Sequence, residues 1–570
     1  MSIINQVANP IELDANSVWR LPGQENLGYT DGESHEAYIG KVLRNASDLG
    51  SNSYELEGHV RDWVTKYHLS RKRAQLLRGF SFDRKARVLE VGCGCGAITR
   101  FLGENFDDVV AIEGSLPRAN LARLRTRDIP WVSILSAPFQ KIQFRTQFDL
   151  IFCIGVFEYS KVFVAGADPH ETVLRYFSDI LAPGGAVIMA IENQFGLKYF
   201  ASSPEDHNNI PFDGIEGYPR QDAHKTFGYN ELKGRLSRHF GDIHFYFPYP
   251  DYKMPSCVVS EEAFGQVNLG EMIGRLTPLD YPKARTPSFD QRLALMELAK
   301  NDLLHQFANS FLVVAAKGPG AKIRFDNLGI LFSDHRKKEF QMVTTIESRK
   351  DAGIWVRKRR MDCCAVTEEV VKMVEGEERW VPSDSIQMQV LKRAKRKRMA
   401  FAELFAPCAT WMRKIRQVSA VKSGHLIVDG RYIDCTWSNS FVENDECVFI
   451  DQEWAWNGDI RVSVLVARAA YYLLKEIRGM STAHPELEKR ETRSLVARIG
   501  RELGVEIGRA DWKEFLRVEA AFKQTVIEAR RGWQDRLVRK LRRAYSRLGG
   551  RRYLSLPEGA LAPAAASSKQ

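Results

Sequence analysis

The sequence predicts an α/β fold: a doubly wound, mostly parallel sheet joined to a C-terminal α+β part and a helical tail. Three observations predict it. Between residues 87 and 191, short apolar runs alternate with helix-spaced segments, the pattern of strands buried on both faces and linked by crossover helices. One run ends in a glycine-rich bend that opens a helix, Val88-Leu89-Glu90-Val91-Gly92-Cys93-Gly94-Cys95-Gly96-Ala97. After Gly318-Pro319-Gly320 the pattern changes to scattered short strands and then to nearly continuous helical spacing. The 570 residues, 44% hydrophobic and 27% charged, exclude collagen-like and wholly disordered chains. At roughly 150 residues per domain they suffice for about two to four domains.

Residues 1–50 are polar and are expected to form a flexible arm. A helical pattern runs from Leu56 to Arg78 through Val60, Trp63, Val64, Tyr67, Leu76 and Leu77. Strands are expected at Arg87–Val91, Val109–Ile112, Val132–Leu135, Phe148–Ile154, Ala186–Ile191 and Phe311–Ala315. Helices are expected at Ala97–Glu104, Arg118–Arg125 and His170–Leu181. Residues 51–318 thus read as one domain and 319–480 as a second, with strand-like runs at 340–346 and 354–357 and a β-rich piece at 426–456. A basic helical region follows over 481–550, and 551–570 is an Ala/Ser/Pro-rich disordered tail.

The net charge of +11 permits anionic partners without demanding nucleic acid. Nine cysteines, none in a C-x2-C pair, speak against a secreted disulfide framework and a structural zinc. No signal peptide is visible, and no apolar run reaches the roughly 18 residues of a spanning helix. The expectation is a soluble cytoplasmic protein. Of two basic runs, Lys392–Arg398 reads as a solvated helix face. The second, Arg530–Arg547, lies on a helical pattern that places Trp533, Leu537, Leu541, Ala544 and the next residue, Leu548, on one face. That helix suits peripheral contact with an anionic membrane surface or a protein partner, and equally packing on the body; nucleic acid is the less favoured ligand.

The glycine bend fits several nucleotide cofactors, and two acids choose among them. Glu90 sits at the carboxyl edge of its strand, where it would repel a pyrophosphate but suit an amino group and a sulfonium, as in S-adenosylmethionine (SAM). Glu113 ends the next strand, where an acid accepts ribose hydroxyls. No Walker Gly-Lys-[Ser/Thr] occurs, which excludes the triphosphate-loop reading here. Residues 60–260 resemble a class I SAM-dependent methyltransferase in VLEVGCGCGAITRFLGE (88–104), VVAIEGSLPRANLA (109–122), FDLIFCIGVFEYS (148–160) and LAPGGAVIMAIEN (181–193). The resemblance implies that Glu90, Gly92, Gly94 and Gly96 line the methionine end and that Glu113 holds the ribose. It further implies that Ser136 and Ala137 flank adenine, and that Ile154 and Gly155 follow the fourth strand.

For the acceptor, the segment after the fifth strand, Glu192 to Phe200 and then Glu205-Asp206-His207, reads as a lid. Glu205 and Asp206 beside His207 could make that imidazole a general base toward a hydroxyl, or the trio could be a plain loop cap. Glu158 and Tyr159 could face the same edge, or Glu158 could simply start a helix; Tyr67, His68 and Arg73 could cover the cofactor carboxylate, but an ordinary amphipathic helix is the favoured reading there. The aromatic run Phe245–Lys253 suits sugar rings or cations, or is a loop packed over the sheet end. Cys93, Cys95 and Cys153 read as small buried hydrophobes.

The C-terminal half carries a second constellation. Asp434 and Asn439 have the spacing of a kinase catalytic loop, and Asp451 follows a short apolar strand where a metal-binding Asp would stand. Lys358, on a strand-like run, resembles the phosphate-pairing lysine, with Glu368 or Glu369 as its partner. Together these resemble the methyltransferase–kinase fusions of bacterial surface-polysaccharide (O-antigen) modification. Asn439 and Asp451 would hold Mg, Lys358 would bind ATP, and Asp434 would position the hydroxyl. No glycine-rich loop precedes Ile354, Tyr432-Ile433 replaces His-Arg, and Gln452-Glu453-Trp454 follows Asp451. The region therefore reads as a degenerate kinase-like domain. The resemblance implies methyl transfer to a hydroxyl or phosphate of a glycan or glycolipid acceptor, near the inner membrane or a glycosyltransferase. The alternatives are a protein or RNA methyltransferase and a non-catalytic scaffold.

Overall fold

The computed structural model describes residues 3–23, 27–220, 223–276, 288–333, 335–361, 370–478, 484–488 and 491–527. One sheet of 14 strands dominates it. The strands are β1 (Glu12–Leu13), β2 (Trp19–Arg20), β3 (Arg87–Val91), β4 (Asp108–Glu113), β5 (Val132–Ser136), β6 (Phe148–Ile154), β7 (Leu181–Glu192), β8 (Asp242–Tyr249), β9 (Cys257–Ser260), β10 (Ser310–Ala316), β11 (Gly329–Phe332), β12 (Met342–Arg349), β13 (Gly353–Arg360) and β14 (Gly376–Arg379). Their order is β1-β2-β5-β4-β3-β6-β7-β10-β8-β9-β11-β12-β13-β14. Pairing is parallel from β2 through β7 in that order. Beyond β7 every neighbour is antiparallel. The chain winds outward from β3 through β4 and β5, then returns to the other side of β3 as β6. That reversal opens a crevice beyond the carboxyl ends of β3 and β6, where such sheets bind ligands.

The central strands are apolar without alternation because both faces are covered. Val88, Val109 and Ala111 pack in one core, while Leu89, Val91, Val110 and Ile112 pack in the other. Helices Ala97–Asn105, Leu116–Arg125 and Pro169–Ile180 supply much of that cover.

Several expectations need correction. Residues 1–50 are not a loose arm: β2 extends the sheet by pairing Trp19 with Leu135 and Arg20 with Ser136. Helix Glu33–Asn45 buries Ile39, Val42 and Leu43 against Leu121 and Leu69, an i, i+3, i+4 apolar stripe meeting the body. The helical stretch expected from Leu56 to Arg78 is broken into Tyr54–Glu57, Trp63–Leu69 and the 3-10 turn Arg71–Leu76, because Asp62 and Ser70 cap new starts. The aromatic run at 245–249 is no overlying loop but the end of β8, inside the sheet. Gly318-Pro319-Gly320 does not divide two domains either, since β9 pairs with β11, Cys257 opposite Leu331.

The C-terminal part has its own core around Trp411 and Trp437, both fully buried, with Trp411 Nε1 donating to the Cys435 carbonyl at 2.8 Å. Phe340, in the turn before β12, and Met342, the first residue of β12, enter this core, as do helices Val462–Arg478, Thr492–Glu502 and Arg509–Val526. The boundary expected at 480 therefore runs through one packed unit. The basic helix over 530–547 and the tail over 551–570 lie outside the described residues. Among the described residues no helix is long and apolar enough to cross a membrane.

Candidate active site

A cleft of about 380 Å³ lies at the carboxyl ends of β3, β4 and β6. Glu90, Gly92, Gly94, Glu113, Ala137, Ile154 and Gly155 line it, as do Asp206 and His207. The bend after β3 explains the glycines. Gly92 has φ +75°, and a Cβ there would meet Val156 Cγ2 at 2.4 Å, so only glycine fits. Gly96, at φ +82°, caps helix Ala97–Asn105, and a Cβ would lie 2.8 Å from the Ala122 backbone. It does not line the cleft; its smallness brings two helices together, which corrects its expected ligand role. Ser136 likewise stands outside the lining, at the end of β5 opposite Glu113, while its neighbour Ala137 faces the cleft.

Glu113 Oε2 accepts the Gly94 amide at 2.8 Å, and its Oε1 accepts the Ser115 amide at 3.0 Å. The carboxylate thereby shapes the bend it stands beside. Glu90 is 3% exposed, and its Oε2 has no hydrogen-bond partner. Burial, reinforced by the charge of Glu113, pushes its carboxyl up to about 8. An orphaned acid beside a glycine cradle is the donor set a cationic nucleoside requires, so the residues present fit SAM.

The N-terminal segment roofs the cleft, a role absent from the sequence reading. Tyr29 and Asp31 are among its walls. Asp31 Oδ2 accepts from His68 Nε2 at 2.8 Å and lies 3.2 Å from Arg118 Nη2. Burial alone would raise the Asp31 carboxyl, but the His68 hydrogen bond and the Arg118 charge hold it below the usual range. Arg73 Nη1 donates to the Lys253 carbonyl at 3.0 Å and Nη2 to the Tyr67 hydroxyl at 3.2 Å, closing the wall beneath.

The far end of the cleft is a buried acidic chamber. Glu158 follows β6, Glu192 ends β7, and Glu205, Asp206 and His207 come from the loop beyond. His207 Nδ1 lies 2.7 Å from Glu205 Oε1, and His207 Nε2 is 3.7 Å from both Glu158 Oε1 and Glu192 Oε2. Burial would lower the imidazole, but Glu192, Glu158 and Glu205 outweigh it and raise His207 well above its ordinary value. Glu205, Glu158 and Glu192 thus surround the ring that the sequence offered as a general base. Asp206 does not join it. Its carboxylate takes Lys198 Nζ at 2.8 Å and Lys253 Nζ at 2.8 Å, and these lysines, against burial, draw it down to about 2. Glu205 lies behind His207 rather than on the cleft wall and is tied to His224 Nε2 at 3.2 Å. Tyr252 and Lys253, the last part of the aromatic run, face the cleft. The thiols of Cys93, Cys95 and Cys153 are buried and pushed up by burial, Cys95 to about 12, which leaves them inert.

The second constellation also assembles. Lys358 on β13 contacts Asp451 directly and lies 3.0 Å from Glu378 Oε1 on β14. The expected partners Glu368 and Glu369 lie outside the described residues. Asn439 Nδ2 donates to Asp434 Oδ2 at 3.2 Å, and Arg468 Nη1 lies 3.1 Å from Asp434 Oδ1. Burial pushes Asp434 up to about 7, with Asp451 and Glu453 adding to it against Arg468.

A family model described as a methyltransferase domain matches residues 89–189, the segment from the middle of β3 into β7. This part of the chain is a SAM-dependent methyltransferase domain. Its fold is the Rossmann-like one described above, and its cofactor is SAM. Among curated proteins none matches the chain. Solved structures similar to it include the N-methyltransferase NodS of Bradyrhizobium japonicum WM9 in complex with S-adenosyl-L-homocysteine, 20% identical over 28% of this chain and 75% of that one, TM-score 0.20. Another is the methyltransferase bound to the Haloferax volcanii Trm112 methyltransferase activator, 15% identical over 50% of this chain and 99% of that one, TM-score 0.28. A third is phosphoethanolamine N-methyltransferase 1 of Haemonchus contortus, 14% identical over 39% and 45%, TM-score 0.25. The order and direction of the strands in the methyltransferase domain, rather than these overlays, carry the fold.

Proposed function

We propose that the chain transfers a methyl group from SAM to a hydroxyl of a glycan or glycolipid of the surface-polysaccharide kind. The observation that carries the reading is the acidic chamber at the end of the cleft. Glu158 and His207 form its wall, with Glu192 and Glu205 behind them. Buried carboxylates accept hydrogen bonds from several hydroxyls at once, whereas they repel a phosphate, so a sugar hydroxyl is favoured over a phosphate oxygen. Tyr29, Tyr67 and Tyr159 on the cleft walls offer amphipathic ring faces to such an acceptor.

Bound in the cleft, SAM supplies an electrophilic methyl on a sulfonium. Glu90 offers the negative charge that suits the sulfonium and amino end, and Glu113 the acceptor for ribose hydroxyls. Gly92 lets the backbone approach closely. The Asp31, His68 and Arg118 roof excludes water. Glu158 and His207 orient the acceptor, and Glu158 Oε2, buried without a hydrogen-bond partner, is open to the hydroxyl proton.

The same carboxylates would also draw in an ammonium, so transfer to an amine is the second reading. The C-terminal part is proposed as kinase-like: Asp451 and Asn439 offer oxygens to Mg, Lys358 a charge to ATP phosphates, and Asp434 a carboxylate to a hydroxyl. A glycan or glycolipid acceptor would bring the chain to the membrane surface or a glycosyltransferase rather than to nucleic acid. The test is methyl-labelled SAM incubated with the chain and a surface-glycan extract, followed by fragmentation mass spectrometry. Label on a sugar oxygen is expected. Label only on nitrogen favours the amine reading, and no incorporation into any glycan overturns the proposal.

A further inference from the structure

We propose that Glu158, Glu192 and His207 form a binding site for a divalent metal ion at the acceptor end of the cleft. One ligand atom from each of these residues lies within 4.8 Å of the others. The His207 Nε2 distances to the two carboxylates, 3.7 Å each, are too long for hydrogen bonds. They fit the roughly 3–4 Å span between two atoms that share one cation through bonds of about 2.1 Å. Glu205, His207 and His224 also cluster, but His207–Glu205 at 2.7 Å and His224–Glu205 at 3.2 Å are ordinary hydrogen bonds, so that set is already satisfied internally.

Two further observations point into the gap between Glu158, Glu192 and His207. Glu158 Oε2 and Glu192 Oε2 have no hydrogen-bond partner, although each residue is 1% exposed. A buried carboxylate oxygen without a donor is costly, and a cation relieves it. The other face of His207 is arranged as a ligating histidine requires. Nδ1 is held by Glu205 Oε1, while Glu205 Oε2 accepts the amides of His207 at 2.7 Å and Asn208 at 3.0 Å. This carboxylate–histidine arrangement fixes the ring and directs Nε2 toward Glu158 and Glu192. A metal ion and a proton compete for Nε2. One imidazole and two carboxylates suit Mn²⁺ or Zn²⁺ better than an all-oxygen cage for Mg²⁺ or Ca²⁺. Because Glu158 and His207 are on the cleft wall, the remaining coordination positions would face the acceptor. Resting on the hydroxyl reading above, the ion would grip a sugar oxygen there and lower its pKa.

The test uses the full-length chain treated with EDTA and titrated calorimetrically with MnCl₂ and, separately, ZnCl₂. One ion per chain is expected. Glu192→Gln and Glu158→Gln should each weaken it at least roughly tenfold, and Glu205→Gln by roughly 10–100-fold, with SAM affinity retained as the check of folding. No saturable binding of either ion overturns the proposal, and so does equal affinity in Glu192→Gln that still binds SAM. Stoichiometric metal binding without methyl transfer to any hydroxyl would sink the acceptor reading and leave the metal site standing. Transfer unaffected by EDTA in a chain that binds no ion would do the reverse.

Discussion

Asp31 and Arg118 form an ion pair at 3.2 Å across the mouth of the cleft, joining the N-terminal segment to the helix that follows β4. With His68 on the same carboxylate, it makes the roof a continuous polar clasp. Asp31→Ala is expected to weaken SAM binding roughly tenfold, the size of a lost charge-assisted hydrogen bond. Calorimetry checks this, and an unchanged affinity would remove the segment from the binding site.

Glu113 is asked to do two things, to fix the Gly94 amide and to receive the ribose. Glu113→Ala should cost roughly tenfold to a hundredfold in SAM affinity. Glu113→Gln, which keeps a carbonyl acceptor, should lose less. Equal losses in the two variants would show that charge rather than acceptor geometry dominates.

Glu90 gives a pH signature. Its carboxyl, raised to about 8 from an ordinary 4.5, holds a proton at neutrality, facing Glu113, Arg73, Thr99 and the Cys93 thiol. A sulfonium favours the ionised form, so SAM binding should release a proton and tighten with rising pH, by up to roughly tenfold per unit between pH 6 and 8. For the ligand-free chain the sign is opposite. Between pH 4.5 and 8 the unfolded carboxyl has ionised while the folded one has not, so this group's contribution to stability declines as pH rises. Glu90→Gln should flatten both profiles. A profile for SAM that is already flat in the unmodified chain would contradict the assignment.

In the C-terminal part, Lys358 and Asp451 hold one another. Mg–ATP would have to separate them, so Asp451→Ala and Lys358→Met should each abolish any Mg-dependent nucleotide binding. Fluorescent ATP titration with and without Mg checks it. Binding that survives both substitutions would place the nucleotide elsewhere.

The methyltransferase core was legible because its signals are local. Val88 to Gly96 is a strand, a bend and a helix start in one stretch, and Val109 to Glu113 repeats the strand signal. What escaped is non-local. β2 is two residues long, and it becomes a strand only by pairing with Leu135 and Ser136 far along the chain. Tyr29 and Asp31 sit in a polar segment with no periodicity, so nothing nearby announces that they reach Arg118. His207 stands out in the sequence beside Glu205, but Glu158 and Glu192, which set its electrostatics, approach it only through the sheet. Gly96 and Ser136 show the converse: a motif places a residue near a site without saying which way its surroundings turn it.

The pairing of β9 with β11 has a practical consequence. Trimming the chain after Lys317 would strip β9 of its neighbour and bare a row of amide and carbonyl groups beside apolar Val258 and Val259. Such an edge invites sticking between copies. The catalytic half and its companion are thus welded rather than strung together, and anyone expressing them separately should expect insoluble pieces.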